Sequence, residues 1–369
     1  MNEATGIRTI CENCRGNLAW DATRGQLRCE SCGTLQAVPA SPVHPQGGDI
    51  VEYDLASALA RSRPRGRLGA GARQVKCNEC GATVEFPDNV AATKCSFCDS
   101  PSVLSQEARA DLLAPESLIP FAVDRDHAVA SFKSWLGKLW FRPSDLKEKA
   151  GVAELRGVYI PYWTFDCSVT SRWTADAGYY YYVDERYTAT ENGKTVERAR
   201  RVRHTRWEPA SGQRRDSYDD HLVPASRGLP PKLSEGIKAF DTGGLVAYAP
   251  QYLQGFAAES YAIDLGEAWG SAQSEISSEQ VAKCAGDVPG DTHRDLRANH
   301  SFAEATFKHI LLPVWLAAFR YNSKVYRFLV NGQTGVVSGE APLSVLKVLL
   351  FVALLVAIAV GIVLLSRFR

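Results

Sequence analysis

Apolar and polar positions alternate along this chain in distinct patterns, and each predicts a different kind of element. Residues 157–169, GVYIPYWTFDCSV, form a nearly continuous apolar and aromatic run that predicts a β-strand. Then come SRWTADAGYYYYVDERYTAT and, across Asn192-Gly193, KTVERARRVRHTRWEP, an Asn-Gly between β-rich arms that predicts a hairpin of long antiparallel strands. Four consecutive tyrosines, Tyr179 to Tyr182, put rings on both faces of that strand, which implies either packing on both sides or an exposed interaction surface. Helical spacing appears twice: in Arg125 to Trp140, with Val129, Phe132, Leu136 and Trp140 inward, and in Leu265 to Ala285, with Ala268, Ala272, Ile276 and Val281 inward. Leu118 to Phe121 reads as a short strand and residues 208–245 as polar loop. KHILLPVWLAAFRYNSKVYRFLVNGQTGVVSGE has the form of a three-stranded meander turning at Asn322-Ser323 and Asn331-Gly332. Tyr159-Ile-Pro-Tyr-Trp163 and Leu311-Leu-Pro-Val-Trp315 share an apolar-apolar-Pro-x-Trp pattern that suggests two related β-units. Pro161 and Pro313 are expected at strand starts or edges, where a missing N–H is tolerated.

One segment has no polar face at all. Val348 to Leu365 runs without a charge, about 27 Å of helix at ~1.5 Å per residue, close to the hydrocarbon thickness of a bilayer. A buried core helix is the alternative, but such a helix keeps a polar stripe. A transmembrane helix over 343–366 is therefore expected. The start of the chain lacks a basic stretch followed by an apolar one, so no signal peptide is read there, and the expected topology is a single-pass tail-anchor arrangement with the bulk in the cytosol.

Eight of the ten cysteines form two sets, Cys11, Cys14, Cys29, Cys32 and Cys77, Cys80, Cys95, Cys98, each reading C-x2-C-x14-C-x2-C. Two intervening residues let both sulfurs of a tight knuckle reach one tetrahedral ion, and the longer span is a hairpin that returns the second knuckle. Gly33 and Gly81 follow knuckles where a positive φ is needed. Two zinc ribbons are expected, over 7–38 and 75–104, each closed by four thiolates around a structural Zn2+ with no open position for a reacting water. Disulfides, an iron–sulfur cluster or a redox dithiol are the competing readings. Reduced thiolates place this part in the cytosol. Cys167 and Cys284 stand outside both sets and read as small buried apolar residues. A linker over 39–74 carries a short helix candidate from Ile50 to Ala60. Arg61, Arg63, Arg65, Arg67, Arg73 and Lys76 then make a basic arm, read as a solvated connector or a lipid contact, with nucleic acid less favoured because no aromatic residue is interleaved. A mainly antiparallel α+β domain is expected over 115–340.

Composition narrows the function. With 369 residues, 45% hydrophobic, the chain is long enough for two or three folded domains. Its 42 Lys and Arg balance 41 Asp and Glu, so no strong global positive field steers it to nucleic acid. Catalytic signatures such as H-E-x-x-H and G-x-S-x-G are missing. The seven histidines, His44, His127, His204, His221, His293, His300 and His309, have no ligand-like spacing and read as surface or satisfied core residues.

The paired four-cysteine sets, the phrase Val158 to Asp166 and the run Leu312 to Gly335 together resemble a bacterial family of zinc-ribbon membrane proteins of the transcription-factor-IIB type. The resemblance spans nearly the whole chain. Members often carry the label primosomal protein N-prime or superfamily II helicase. It also implies flotillin-like or phage-shock-type membrane-maintenance proteins as partners. The helicase label fails on chemistry: Gly193-Lys194-Thr195 has Thr188 where the first glycine of a phosphate-binding loop belongs, and Val183-Asp184-Glu185-Arg186 has no such loop to work with. The expectation is a non-enzymatic adaptor at the cytoplasmic face of the bacterial inner membrane. The alternative is a membrane-tethered nucleic-acid-binding protein, and a third reading is an enzyme of unrecognised type in residues 118–340.

Overall fold

Antiparallel strand pairing dominates the chain. The computed structural model describes residues 10–39, 50–60, 73–86, 95, 97, 100, 103–107, 113–144, 146, 155–191, 194–321 and 324–367. Cys98, Arg61 to Arg67, His44 and the turns at Asn192-Gly193 and Asn322-Ser323, all singled out in the sequence, lie outside the described residues.

Strands β1 (Leu18–Asp21), β2 (Gln26–Cys29) and β3 (Leu35–Gln36) make a small sheet of their own. It docks through Trp20, whose Nε1 donates to the Phe121 carbonyl at 2.8 Å and whose ring lies 4.9 Å from that of Tyr252. Next come β4 (Tyr53–Asp54) and α1 (Leu55–Ala60). Leu55 and Ala58 bury against Trp163, Phe165 and Phe307, so this part of the linker is packed on the body. Strands β5 (Arg73–Cys77), β6 (Thr83–Phe86) and β7 (Val103–Glu107) continue the main sheet, with Cys77 at the end of β5.

That sheet is built on two units of the same plan. The first runs β8 (Ser117–Leu118), α2 (Arg125–Lys138), β9 (Arg156–Glu191) and β10 (Lys194–Pro224). After α3 (Pro231–Gly236) and β11 (Val246–Ala247), the second runs β12 (Ala257–Glu259), α4 (Leu265–Asp287), β13 (Thr292–Tyr321) and β14 (Lys324–Asn331), followed by β15 (Val337–Gly339). Strands β9 and β13 pair antiparallel at the centre, with Pro161 opposite Leu311 and Tyr159 opposite Pro313. Each unit lends its short strand to the other: β12 lies parallel to β9 and β8 parallel to β13. The helices start alike, with Asp124 accepting from the His127 amide and Asp264 from the Glu267 amide, the side-chain caps that first-turn N–H groups need. Trp163 Nε1 donates to the Ile263 carbonyl at 3.0 Å, and Trp315 Nε1 to the Val123 carbonyl at 2.8 Å, each just before the other unit's cap. The duplication suggested by the shared Pro-x-Trp pattern is thus an exchange of matching parts.

The prolines correct an expectation. Both are buried inside long strands, not at starts or sheet edges. Pro161 falls where the outer side of β9 passes from β12, paired at Val158 and Tyr159, to β10, paired from Tyr162. Pro313 falls where β13 passes from β8, paired at Ile310 and Leu311, to β14, paired from Val314. No ladder donor is needed at either gap. Both carbonyls stay in use, Pro161 accepting from the Ala225 amide at 3.0 Å and Pro313 from the Gly332 amide at 2.8 Å.

Both faces of the central strands are covered, which explains their continuous apolar sequence. Ile160, Tyr162, Ile310, Leu312 and Val314 face one core with the second cysteine set and α3, and Tyr159, Leu311 and Trp315 face another with α2. Three further expectations are corrected. Helix α2 ends at Lys138, and Trp140, beyond it, is 78% exposed. On α4 the buried stripe is Ala268, Ala272, Ile276, Gln280 and Cys284, a strict four-residue spacing that leaves Val281 outward. Residues 208–224, read as loop, continue β10: their polarity reflects a strand exposed at Ser211, Gln213, Arg215, Ser217 and Asp219, between which Arg214, Asp216 and Tyr218 bond to α4. Cys167 and Cys284 are buried, as expected.

Helix α5 (Val345–Arg367) contains one segment, Val345–Leu364, long and apolar enough to cross a membrane, and none of that segment is buried. Its start is tied to the loop after α2: the Ser344 amide donates to the Phe141 carbonyl at 2.7 Å, and Phe351 meets Phe141 edge-on with centroids 5.3 Å apart.

Candidate metal sites and a projecting hairpin

The four cysteine pairs repeat one backbone device. The first cysteine's amide donates to the carbonyl five residues on, Cys11 to Gly16, Cys29 to Thr34, Cys77 to Ala82 and Cys95 to Ser100, at 2.8–2.9 Å. In three of them the amide four residues on returns the bond, from Arg15, Gly33 and Gly81. Closing so tight a loop needs a left-handed residue at that fourth position. Gly33 and Gly81 have φ of 74° and 76°, as expected, and Arg15 takes the same conformation at 62°.

These loops aim their sulfurs inward. The Sγ atoms of Cys11, Cys14, Cys29 and Cys32 all lie within 4.8 Å of one another, as do those of Cys77, Cys80 and Cys95. Cys14 and Cys29 are 3.4 Å apart, Cys11 and Cys32 3.6 Å, and Cys80 and Cys95 3.6 Å. A tetrahedral ion with sulfur at about 2.3 Å requires sulfurs about 3.8 Å apart, so the donor sets fit a thiolate-bound metal. Neutral thiols packed this closely ionise unequally. The Thr34 hydroxyl and amide bring Cys32 down to about 6, while Cys14, despite the Gly16 amide acting the other way, is pushed up to about 12 by the sulfurs of Cys32 and Cys29. Donors also point at sulfur, among them the Phe97 amide, 3.3 Å from Cys95 Sγ, which is what an anionic thiolate cluster needs from its surroundings.

The settings of the two clusters differ. Around the first, the buried core is Cys11, Leu18, Leu27 and Cys29. Around the second, Cys77, Ala82, Val84, Cys95 and Phe97 belong to the main core with Ile160 and Leu312. Glu259, fully buried on β12 beside β6, accepts from Ser226 Oγ at 2.9 Å, and burial pushes its carboxyl up to about 8.

A third convergence was not read from sequence. Asp166, Asp219 and Asp220 gather at the bulge between β9 and β10. Lys308 of β13 fills the site: its ammonium lies 2.7 Å from Asp220, 2.8 Å from Glu52 and 3.9 Å from Asp166. Burial raises Asp166 to about 6, opposed by the Asp220 amide and by Lys308. An internal cation makes this a structural ion network. Similarly, Gln280 is buried because its amide bonds Ser171, Asp216 and Tyr218.

Within the tyrosine run, Tyr179 and Tyr180 are half-buried and Tyr181 and Tyr182 exposed. β13 begins opposite Gly178, so beyond that point β9 and β10 continue as a ribbon of two strands among the described residues. A Cβ at Gly178 would lie 2.6 Å from Thr292 and 2.8 Å from Trp207, so the crowded base admits no side chain. Residues 179–207 carry seven Lys or Arg and four Asp or Glu. Arg203 lies over Tyr180 at 4.3 Å, Arg201 over Tyr182 at 4.6 Å, and His204 stacks on Tyr181 at 5.5 Å. Tyr181 and Tyr182 are 49% and 54% exposed. Lys194, Thr195 and Asp184 to Arg186 all lie on these two strands.

No family model matches the chain, and no solved structure matches it. Over 341 residues, 90% of this chain and 89% of the other, it is 27% identical to the uncharacterized protein YdjG of Bacillus subtilis (strain 168).

Proposed function

We propose that this chain is a membrane-anchored, zinc-holding, non-enzymatic adaptor that recruits proteins at the cytoplasmic face of the bacterial inner membrane. The observation that carries the reading is the projecting ribbon. It exposes tyrosine and arginine together, residues enriched among the hot spots of protein interfaces, on a two-stranded frame. Its base at Gly178 lies about 22 residues along β9 from Arg156, roughly 70 Å of strand at ~3.3 Å per residue. The root of α5 lies near the Arg156 end, where β14 pairs with the last part of β13 and β15 pairs with β14. Anchorage by α5 would fix the chain in the bilayer while the ribbon reaches away from that root, raising the effective concentration of whatever it binds.

Two structural zinc ions complete the reading, one in the first four-cysteine set and one in the second, with Cys98 as its fourth ligand. Closed thiolate spheres give the metal a folding role and no substrate position. Thiolates stay reduced in the cytosol, which sets the orientation. Flotillin-like or phage-shock-type membrane-maintenance proteins are the partners that the family resemblance implies. Four acids among the ribbon's seven cations oppose polyanion binding and support a protein partner.

Crosslinking and affinity purification of the full-length protein from its native membrane, with nuclease treatment, tests the reading. The comparison is a variant carrying Tyr181→Ser, Tyr182→Ser, Arg201→Glu and Arg203→Glu. Membrane proteins recovered after nuclease and lost with the variant support recruitment. Recovery dominated by nucleic acid and abolished by nuclease or salt overturns it in favour of a tethered nucleic-acid binder.

A further inference from the structure

Where the chain leaves the body for α5, its surface changes character. Two adjoining grooves share Trp135 and Lys138. One, of about 430 Å³, is walled mainly by apolar side chains, Trp140, Phe141, Pro342 and Leu343 among them. The other, of about 510 Å³, is lined by Ser131 and Ser134. Lys138 and Arg142 are the charged residues of these walls, and no carboxylate lines either groove among the described residues.

The grooves are fixed to the helix that follows. Arg142 Nε donates to the Leu136 carbonyl at 2.7 Å and Nη1 to the Pro143 carbonyl at 3.2 Å, which holds the guanidinium at the groove that Lys138 also lines. Lys347, in the first turn of α5, donates to the Arg142 carbonyl at 2.8 Å. Trp140 is 78% exposed and Leu343 70%, an arrangement costly in water and suited to the boundary between headgroups and acyl chains.

We propose that these joined grooves bind one anionic phospholipid, its phosphodiester between Lys138 and Arg142 and the upper part of an acyl chain along Trp140, Phe141 and Leu343. The inference rests on α5 crossing the bilayer. Given that crossing, the grooves stand at headgroup level, where cations with no carboxylate beside them in the groove walls among the described residues attract anionic lipid. Free phosphate would satisfy the cations and leave the apolar wall bare. A zwitterionic lipid would cover the wall and bring its own cation against Lys138.

Full-length protein in vesicles of phosphatidylcholine with a minority of phosphatidylglycerol tests the site, with spin-labelled forms of each lipid reporting the population immobilised by protein. The result expected is a several-fold preference for phosphatidylglycerol, kept by Lys138→Arg and reduced at least threefold by Lys138→Glu. Equal immobilisation of the two lipids, or an unchanged preference in Lys138→Glu, overturns the site while leaving anchorage intact. Release of the protein from the vesicles by alkaline carbonate overturns anchorage, and the site with it.

Discussion

Arg15 occupies the left-handed position that Gly33 and Gly81 fill in the other loops. A side chain there costs about 1–2 kcal/mol, partly offset by the greater freedom glycine has when unfolded. Arg15→Gly is therefore expected to stabilise the first cysteine unit by about 0.5–1 kcal/mol, read from slower amide exchange in β1 and β2. His309 governs a pH effect. It is fully buried, its Nδ1 3.0 Å from the Leu113 carbonyl, and burial brings it down to about 4. Because the unfolded chain takes up this proton near 6.5 and the folded one only near 4, its contribution is intact above that window and is lost as pH falls through it. The loss reaches on the order of 3 kcal/mol, and the opposing shift of Asp166 hides part of it. Urea titrations at pH 7 and pH 4.5 should show a smaller drop in His309→Asn than in the wild type. Lys308→Met should cost about 3–5 kcal/mol at neutral pH, because Asp166 and Asp220 lose their buried cation. The cysteines and glycines were legible because metal spacing and positive φ are local demands. Lys308 and Gln280 were not, since their partners arrive from other strands.

Among the elements, the two cysteine units should respond differently to metal loss. The first has four buried core residues, two of them cysteines of the candidate metal site, too few to stay folded without a metal holding the sulfurs. Chelation should abolish amide protection in β1 to β3. The second shares its core with the main sheet, so Cys77→Ser should lower the melting temperature of the whole body, read by calorimetry. Patterning revealed the longer helices, the antiparallel pairing and the meander because their periods are intrinsic, but it read the short α3 as loop. It missed the lengths of β10 and β13, whose outer faces are polar, and it could not place Pro161 and Pro313, since the gaps that accept them exist only where a strand changes partners.

Across the whole molecule, α5 follows β15 near the Arg156 end of β9 while the ribbon lies beyond Gly178 of that same strand, and the account depends on both. α5 was legible from composition alone as a helix long and apolar enough to cross a membrane. The tyrosine run was ambiguous in sequence because ring exposure depends on where β13 begins. The measurement that tests the central claim most directly is photo-crosslinking from a probe at Tyr182 in the full-length protein in its native membrane, followed by nuclease. The account predicts a discrete protein adduct that survives nuclease and disappears when the chain is truncated after Pro342. Adducts only to nucleic acid, or none beyond those from a probe at buried Ile276, would contradict it.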